Sequence, residues 1–301
     1  MFNIIPQLLV NALIIGSIYS LVSVGLSMTY NFARVLNFSH GHFLILGGYM
    51  FYLFLYVLSF SLFFTSLFTL FSIIAISFIS FKVFIKPFQK YSYLLPFITT
   101  LTLAIIIESI IAISFGVNVK SFPLGSFDNS SIHLDTLNIY ITPIQIIIVI
   151  SAILIISKIA FIIHKAPLGR KLKALANNIS HAESLGVNTN RLNYLIFITA
   201  AILAAYTGIL FGYEMTLQPY IGHSYILKAF AAMLLGGMGN IWGTIFGSFI
   251  LSLIENFSIG LEFGSYSLPA SFKDTFAFVI ILLVLLFRPS GIFNFKNKRD
   301  S

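Results

Sequence analysis

HKAPLGRKLKALANNISHAESLGVNTNRLN, residues 164–193, is a polar island in an otherwise apolar chain. Five of the 17 lysines and arginines stand in it: Lys165, Arg170, Lys171, Lys173 and Arg191. Pro167 opens a helix, because its missing N–H is not needed in a first turn. Leu168, Leu172, Leu175 or Ala176, and Ile179 recur at helical spacing, while Arg170, Lys171 and Lys173 take the other faces. A second short helix around 181–185 stops at Gly186, which accepts a left-handed cap without a Cβ penalty. A loop that merely joined two membrane spans could be far shorter. Two readings stand side by side. The helix pair lies on anionic headgroups, held by its lysines and arginines, or it plugs into a soluble partner.

Outward from that island the chain is greasy. Of 301 residues, 58% are hydrophobic and only 9% charged, with mean hydropathy +0.98. Soluble domains carry roughly 25% charged residues, so this is an integral membrane protein. Its long uninterrupted apolar runs, unlike the alternation of a β-barrel strand, make it all-α. With no cysteine, neither a disulfide scaffold nor a thiolate metal or redox site is open to it. The net charge of +8 does not point to nucleic acid, because the basic residues sit at the ends of apolar runs. No Lys or Arg precedes Arg34, so the positive region of a cleavable signal peptide is not expected.

A span needs about 20 apolar residues. The runs are 4–30, 43–58, 62–85, 94–115, 143–163 and 194–213, then two shorter pieces, 226–235 and 241–257, and a last run, 275–287. These predict a single transmembrane domain over 1–301, with about eight transmembrane helices plus a broken or re-entrant helix pair. Polar breaks fall at 31–41, around Lys82, Lys86, Pro87 and Lys90, and at 116–142, which carries Lys120, Asp128 and Asp135. With the N-terminus outside, 14 of 17 basic residues fall inside, among them Arg34, Lys158, Arg288, Lys296, Lys298 and Arg299. Lys120 and Lys273 fall outside and Lys228 near a boundary. The excess of inside lysine and arginine fixes this orientation over its inverse and puts residues 164–193 and the C-terminus in the cytoplasm.

Gly236, Gly237, Gly239, Gly243 and Gly247 do not make a phosphate loop, since no Lys-Ser/Thr pair follows them. Gly239, Gly243 and Gly247 fall at i, i+4, i+8, a ridge on which helices approach closely. Alternatively the glycines break a helix and line a pathway. The expectation is a break at 236–240 with tight packing beyond it. A similar small-residue ladder stands at Ala12, Gly16 and Ser20, and FLILGGYM (43–50) and AAMLLGGMG (231–239) hint at an internal repeat. Ionisable groups at bilayer depth are costly, which singles out Glu108 above all. Glu214, Lys228 and Glu255, nearer span ends, snorkel or pair between helices. No spacing couples the carboxylates into an acid–base pair, so neither catalytic residues nor a cofactor are expected. His40 and His42, two apart, do not converge on one helix face, and no third ligand stands nearby in sequence, so no metal site is read there.

Four blocks resemble one family. NFSHGHFLILGGYM (37–50), PLGRKLKALANNISHAESLGVNTNRL (167–192), PYIGHSYILKAFAAMLLGGMGNIWGTIFGSFILSLIE (219–255) and RPSGIF (288–293) are similar, in order, to blocks of permease subunits of branched-chain amino-acid ABC importers, the LivH-like group. His42 stands where that family often has an acidic residue, Asn240 where it commonly has serine, and Asn177-Asn178 replaces an acidic pair. Residues 116–142 carry no family motif.

The resemblance implies a permease in a bacterial plasma membrane, working with two ATP-binding-cassette ATPases, a second homologous permease and an extracytoplasmic substrate-binding protein. ATPase coupling would fall to Pro167, Leu168, Gly169, Arg170, Leu172, Ala174, Glu183, Leu185 and Gly186. Asn37, His40, Gly41, Glu108, Gly236, Gly237 and Gly239 are the candidate pathway residues. On this reading Gly169→Asp, or charge reversal at Arg170, uncouples ATP hydrolysis from uptake and spares membrane insertion. A related permease for urea or short amides, an ion-coupled secondary transporter and a membrane enzyme are the competing readings.

Overall fold

In lipid, a backbone finds hydrogen-bond partners within its own segment or not at all, and this chain's apolar runs meet that demand as helices. The computed structural model describes residues 4–89, 91–92, 94–123, 132–134, 139–260, 273–288 and 290–293. Lys90, Asp128, Asp135, Pro289, Lys296, Lys298 and Arg299, all named above, lie outside the described residues. The helices are α1 Ile5–Ala33, α2 His40–Tyr52, α3 Leu62–Ser80, α4 Leu95–Phe115, α5 Pro143–Lys165, α6 Pro167–Asn177, α7 Ile179–Ser184, α8 Thr189–Glu214, α9 Ile221–Gly236, α10 Ile241–Gly260 and α11 Lys273–Phe287. α2 and α3 each run on into a π-helical turn, Leu53–Val57 and Phe81–Ile85. In the stretch 116–142 a small antiparallel pair forms, β1 Ile132–Leu134 on β2 Ile139–Ile141, with Ile132 opposite Ile141.

Among the described residues, seven helical segments are long and apolar enough to cross a membrane, and α9, at 16 residues, is a shorter apolar helix. The protein is an all-α multi-pass membrane protein, as its composition requires. At about 1.5 Å per residue α9 covers ~24 Å of a ~30 Å hydrocarbon core.

Burial divides the helices into an inner and an outer layer. In α1 and α8, 78% and 67% of the most apolar window is buried, against 22%, 28% and 17% in α3, α4 and α5. α1 is apolar all round because it is surrounded by protein; the outer three turn phenylalanine and isoleucine to the lipid, as at Phe63, Phe71, Ile113 and Leu154. The expected small-residue ladder of α1 lies against α10. Gly16 faces Phe249, Ser252 Oγ donates to the Ala12 carbonyl at 2.8 Å, and Thr244 Oγ1 donates to Ser27 Oγ at 3.2 Å. Small residues let backbones close to this range, where dispersion and hydroxyl bonds replace the hydrophobic drive that lipid cannot supply.

The short pieces 226–235 and 241–257 are the adjoining helices α9 and α10. Their closeness rests on glycine. A Cβ on Gly236 would fall on the Gly243 backbone, and one on Gly247 on the Ala232 carbonyl. Gly239 is not part of that ridge; the nearest atom to its missing Cβ is Asn31 Oδ1 at 3.6 Å. The break at 237–240 is therefore a turn level with the end of α1 rather than an interruption at mid-depth. Asn240 caps α10 by accepting from Gly243 N at 3.1 Å, the same work a serine does at an N-cap.

Segments assigned to the same side of the membrane gather at the same end of the bundle. Arg34 reaches Ala176, Lys86 lies over the Tyr194 ring, Trp242 Nε1 donates to His164 Nε2 at 3.4 Å and Ile292 N donates to the Leu235 carbonyl. At the other end Lys120 and Leu217 exchange backbone bonds of 3.0 and 2.7 Å.

Candidate functional site

The polar island folds as α6 and α7, turned sharply off the end of α5. Pro167 is the first residue of α6, and Ala166, in an extended conformation, is its N-cap. Gly169 packs into the corner: a Cβ there would fall on the carbonyls of Ile162 and Ile163. Leu172 and Leu175 are buried with it, while Pro167, Leu168, Arg170, Lys171 and Lys173 are exposed and Ala174 is half-buried. The buried stripe is thus Gly169, Leu172 and Leu175, and Leu168 stands at its edge, 39% exposed and lining an apolar cavity with Leu172 and Ile163.

Asn178 ends α6 and starts α7, its Oδ1 accepting from His181 N at 3.1 Å. Ile179 opens α7 and is exposed, so it does not continue the buried stripe either. Glu183 is drawn toward α8, its Oε1 accepting from Thr189 Oγ1 at 2.6 Å. Gly186 has φ +77° with no atom within 4 Å of a notional Cβ, so its backbone conformation, not space, selects glycine. The cap it closes has both bonds of a Schellman motif, Val187 N to the Ala182 carbonyl at 3.0 Å and Gly186 N to the Glu183 carbonyl at 2.9 Å. Leu185, just before it, is 77% exposed. Arg34 Nη2 donates to the Ala176 carbonyl at 2.7 Å, satisfying one of the orphan acceptors at the end of α6.

A second group forms inside the bundle. Asn37 is buried and its Oδ1 accepts from Ser39 N at 3.1 Å and Ser39 Oγ at 2.6 Å, folding the chain into α2. Thr100 Oγ1 of α4 takes the Phe38 N–H at 3.2 Å. His40 is fully buried, its Nε2 3.0 Å from the Val22 carbonyl. Val22 lies in the body of α1, so α2 begins well inside the bundle. Its start meets the start of α9, for a Cβ on Gly41 would fall on the Gly222 carbonyl. Glu108 of α4 closes the arrangement. Its Oε2 accepts from His42 Nε2 at 3.1 Å and from His223 Nε2 at 2.9 Å.

The expected pathway residues therefore fall into two places. Around the start of α2, Gly41 and Glu108 lie where α2, α4 and α9 meet, while His40 turns to Val22 and Gly25 of α1 and Asn37 holds the turn before α2. Gly236, Gly237 and Gly239 lie at the α9–α10 turn, where Gly239 lines a cleft of about 580 Å³ with Asn31, Arg34, Lys173 and Trp242. His223 carries no signal of its own in the sequence; Glu108 and His42, more than 100 positions away, are joined to it only by the fold. Lys228 and Glu255 are both buried and paired, Nζ to Oε1 at 3.3 Å, with Tyr19 Oη donating to Glu255 Oε2 at 2.7 Å and accepting from Lys228 at 3.0 Å. Of the two expectations for Lys228, pairing between helices holds and snorkelling does not. Glu214 accepts from Gln145 Nε2 at 2.9 Å, tying α8 to α5.

Residues 8–285 match the family described as the permease component of branched-chain amino acid transport systems. The chain belongs to that family. Its relatives include the high-affinity branched-chain amino acid transport system permease protein BraD of Pseudomonas aeruginosa, 31% identical over 297 residues, 95% of this chain and 94% of the relative. LivH of Escherichia coli K12, of the same description, is 28% identical over 301 residues, with the same coverage. The autoinducer 2 import system permease protein LsrC of Photorhabdus laumondii is 33% identical over 141 residues, 44% of this chain and 41% of the relative. Among solved structures, PsaBC from Streptococcus pneumoniae in complex with Fab has a TM-score of 0.51 at 13% identity, covering 96% of this chain and 94% of that one; this likeness is one of fold.

Proposed function

We propose that this chain is the permease subunit of an ATP-driven importer for leucine, isoleucine and valine, seated in a bacterial plasma membrane with its N-terminus outside and its C-terminus in the cytoplasm. The observation that carries the reading is the family match across residues 8–285. The chain acts as a single transmembrane domain, beside a second homologous permease, and receives its substrate from an extracytoplasmic binding protein. Two ATP-binding-cassette ATPases dock on α6 and α7 at the segment 164–193.

The geometry of α6 supports this role. Its exposed face offers Pro167, Leu168, Arg170, Lys171 and Lys173, and α7 adds Leu185, an apolar group beyond the lipid-facing spans. Gly169, Leu172, Glu183 and Gly186 serve from behind, seating the pair on α5 and α8. A push on α6 passes to α5 through the Gly169 corner and to α1 through Arg34. ATP binding favours the closed ATPase dimer and so biases the helices between two states. Solute passes near Glu108, where α2 and α9 begin inside the bundle, and leaves past the Gly236–Gly237–Gly239 turn.

Uptake of radiolabelled leucine by cells expressing this chain with its ATPases and binding protein tests the reading. Uptake that survives ATP depletion and collapses with an uncoupler would replace it with ion-coupled transport. Uptake of urea or short amides in place of leucine would keep the importer and change the solute.

A further inference from the structure

His42, Glu108 and His223 come from α2, α4 and α9, yet their ligand atoms all lie within 4.8 Å of one another. We infer that these three side chains form a binding site for a transition-type divalent cation, with zinc the best fit. Two imidazole nitrogens and one carboxylate oxygen are a donor set that zinc takes with a further position left open, whereas calcium and magnesium want oxygen alone. Bonds of about 2.0–2.1 Å in tetrahedral array set ligand atoms about 3.3 Å apart. The Glu108 Oε2 contacts, 3.1 Å to His42 Nε2 and 2.9 Å to His223 Nε2, need widen only by a few tenths of an ångström.

The cluster is graded from wall to mouth. His42 has 0% side-chain exposure, Glu108 15% and His223 48%, so a cation enters past His223 and meets two ligands already held in place. The imidazole rings stand edge to face, centroids 4.5 Å apart and planes at 77°, a placement set by the close backbones of Gly41 and Gly222. Both rings aim Nε2 at one carboxylate oxygen. A cation in their midst takes the two Nε2 lone pairs, each neutral ring carrying its one proton on Nδ1, and ties the outer helix α4 to the paired starts of α2 and α9. None of this depends on which solute the permease carries.

The test is titration of the full-length chain in lipid nanodiscs with Co²⁺, followed by its visible absorption, and then competition with Zn²⁺. One cation should bind per chain. Outer-shell partners alone are worth about 10–100-fold in metal affinity, so His223→Gln and Glu108→Gln should each weaken binding about a hundredfold. His181→Gln, on exposed α7, should leave it unchanged. Binding that is absent at about 100 µM cation, or equal in wild type and both variants, would overturn the site and leave a hydrogen-bonded bridge. Should a variant fold poorly, protection of His223 in the unaltered chain from diethyl pyrocarbonate by Zn²⁺, read by mass spectrometry, decides the matter: protection supports the site and its absence overturns it.

Discussion

Arg34, at the end of α1, donates from Nη2 to the Ala176 carbonyl of α6 at 2.7 Å. It does so from a left-handed backbone, φ 56°, which costs a non-glycine residue roughly 1–2 kcal/mol. The same turn leads into residues 34–39 and so to the start of α2. One side chain thus joins the polar helix pair to the innermost helix and to the segment that delivers His40, Gly41 and His42.

Arg34→Gly separates those two contributions. Glycine keeps the left-handed turn at no steric cost and removes the guanidinium from an exposed hydrogen bond, so stability should change by less than about 1 kcal/mol. Arg34→Ala loses the bond and keeps the strain, and should be less stable than Arg34→Gly by about 1 kcal/mol. In both, leucine uptake should fall several-fold while ATPase binding persists. Thermal unfolding in detergent, beside uptake in the same membranes, checks the order; full uptake in Arg34→Gly would show that α1 takes no drive from α6.

Gly169→Asp does not separate docking from folding, because its Cβ alone would fall on the Ile162 and Ile163 carbonyls. Overpacking of this kind costs about 1–3 kcal/mol, and the α5–α6 corner should open to protease. Arg170→Glu is the cleaner variant. Arg170 is exposed, so stability should stay within about 0.5 kcal/mol while ATPase binding drops. Limited proteolysis and ATPase pull-down, run on both variants, tell them apart; unchanged pull-down with Arg170→Glu would remove Arg170 from the docking face.

How much of this was legible in the sequence depends on the range of the physics. Lipid imposes long apolar runs, so spans such as 4–30 and 62–85 are readable by counting. Pro167 and Gly186 act on their own backbone, and the helix ends fall where those residues require. Gly169 and Gly236 act through distant backbones, which a list of residues cannot locate. Glu108 stood out as a charge at depth, but its partners did not, because His42 and His223 reach it only once α2, α4 and α9 are packed. Ile179 fits the helical repeat of α6 in sequence, but the turn at Asn178 starts a new helix there and leaves it exposed.

Gly236→Ala should be among the most damaging single-methyl changes in the chain. The added carbon meets the Gly243 backbone, which cannot rotate aside, so α9 and α10 must part at a cost of about 1–3 kcal/mol. Gly239→Ala differs in kind: there is space, but φ is +84°, and the cost is about 1–2 kcal/mol of backbone strain. A second substitution, Gly243→Ala, should worsen Gly236→Ala and be nearly additive with Gly239→Ala, as expected of touching and separate sites. Thermal unfolding of the single and double variants measures this, and near-additivity of Gly236→Ala with Gly243→Ala would contradict the contact.

Lys228→Met tests the buried pair between α9 and α10. Lys228 Nζ lies 3.3 Å from Glu255 Oε1, with Tyr19 Oη bonded to both residues. Removing the cation that faces a fully buried carboxylate costs about 3–5 kcal/mol. Replacing both charges, as Lys228→Met with Glu255→Gln, removes the uncompensated charge and should recover more than half of that loss, since buried pairs are worth little against neutral groups of like size. Expression level and thermal unfolding of the three variants give the cycle. Recovery by the double variant with uptake restored would make the pair a packing device; recovery of stability without uptake would place its charges in the transport cycle itself.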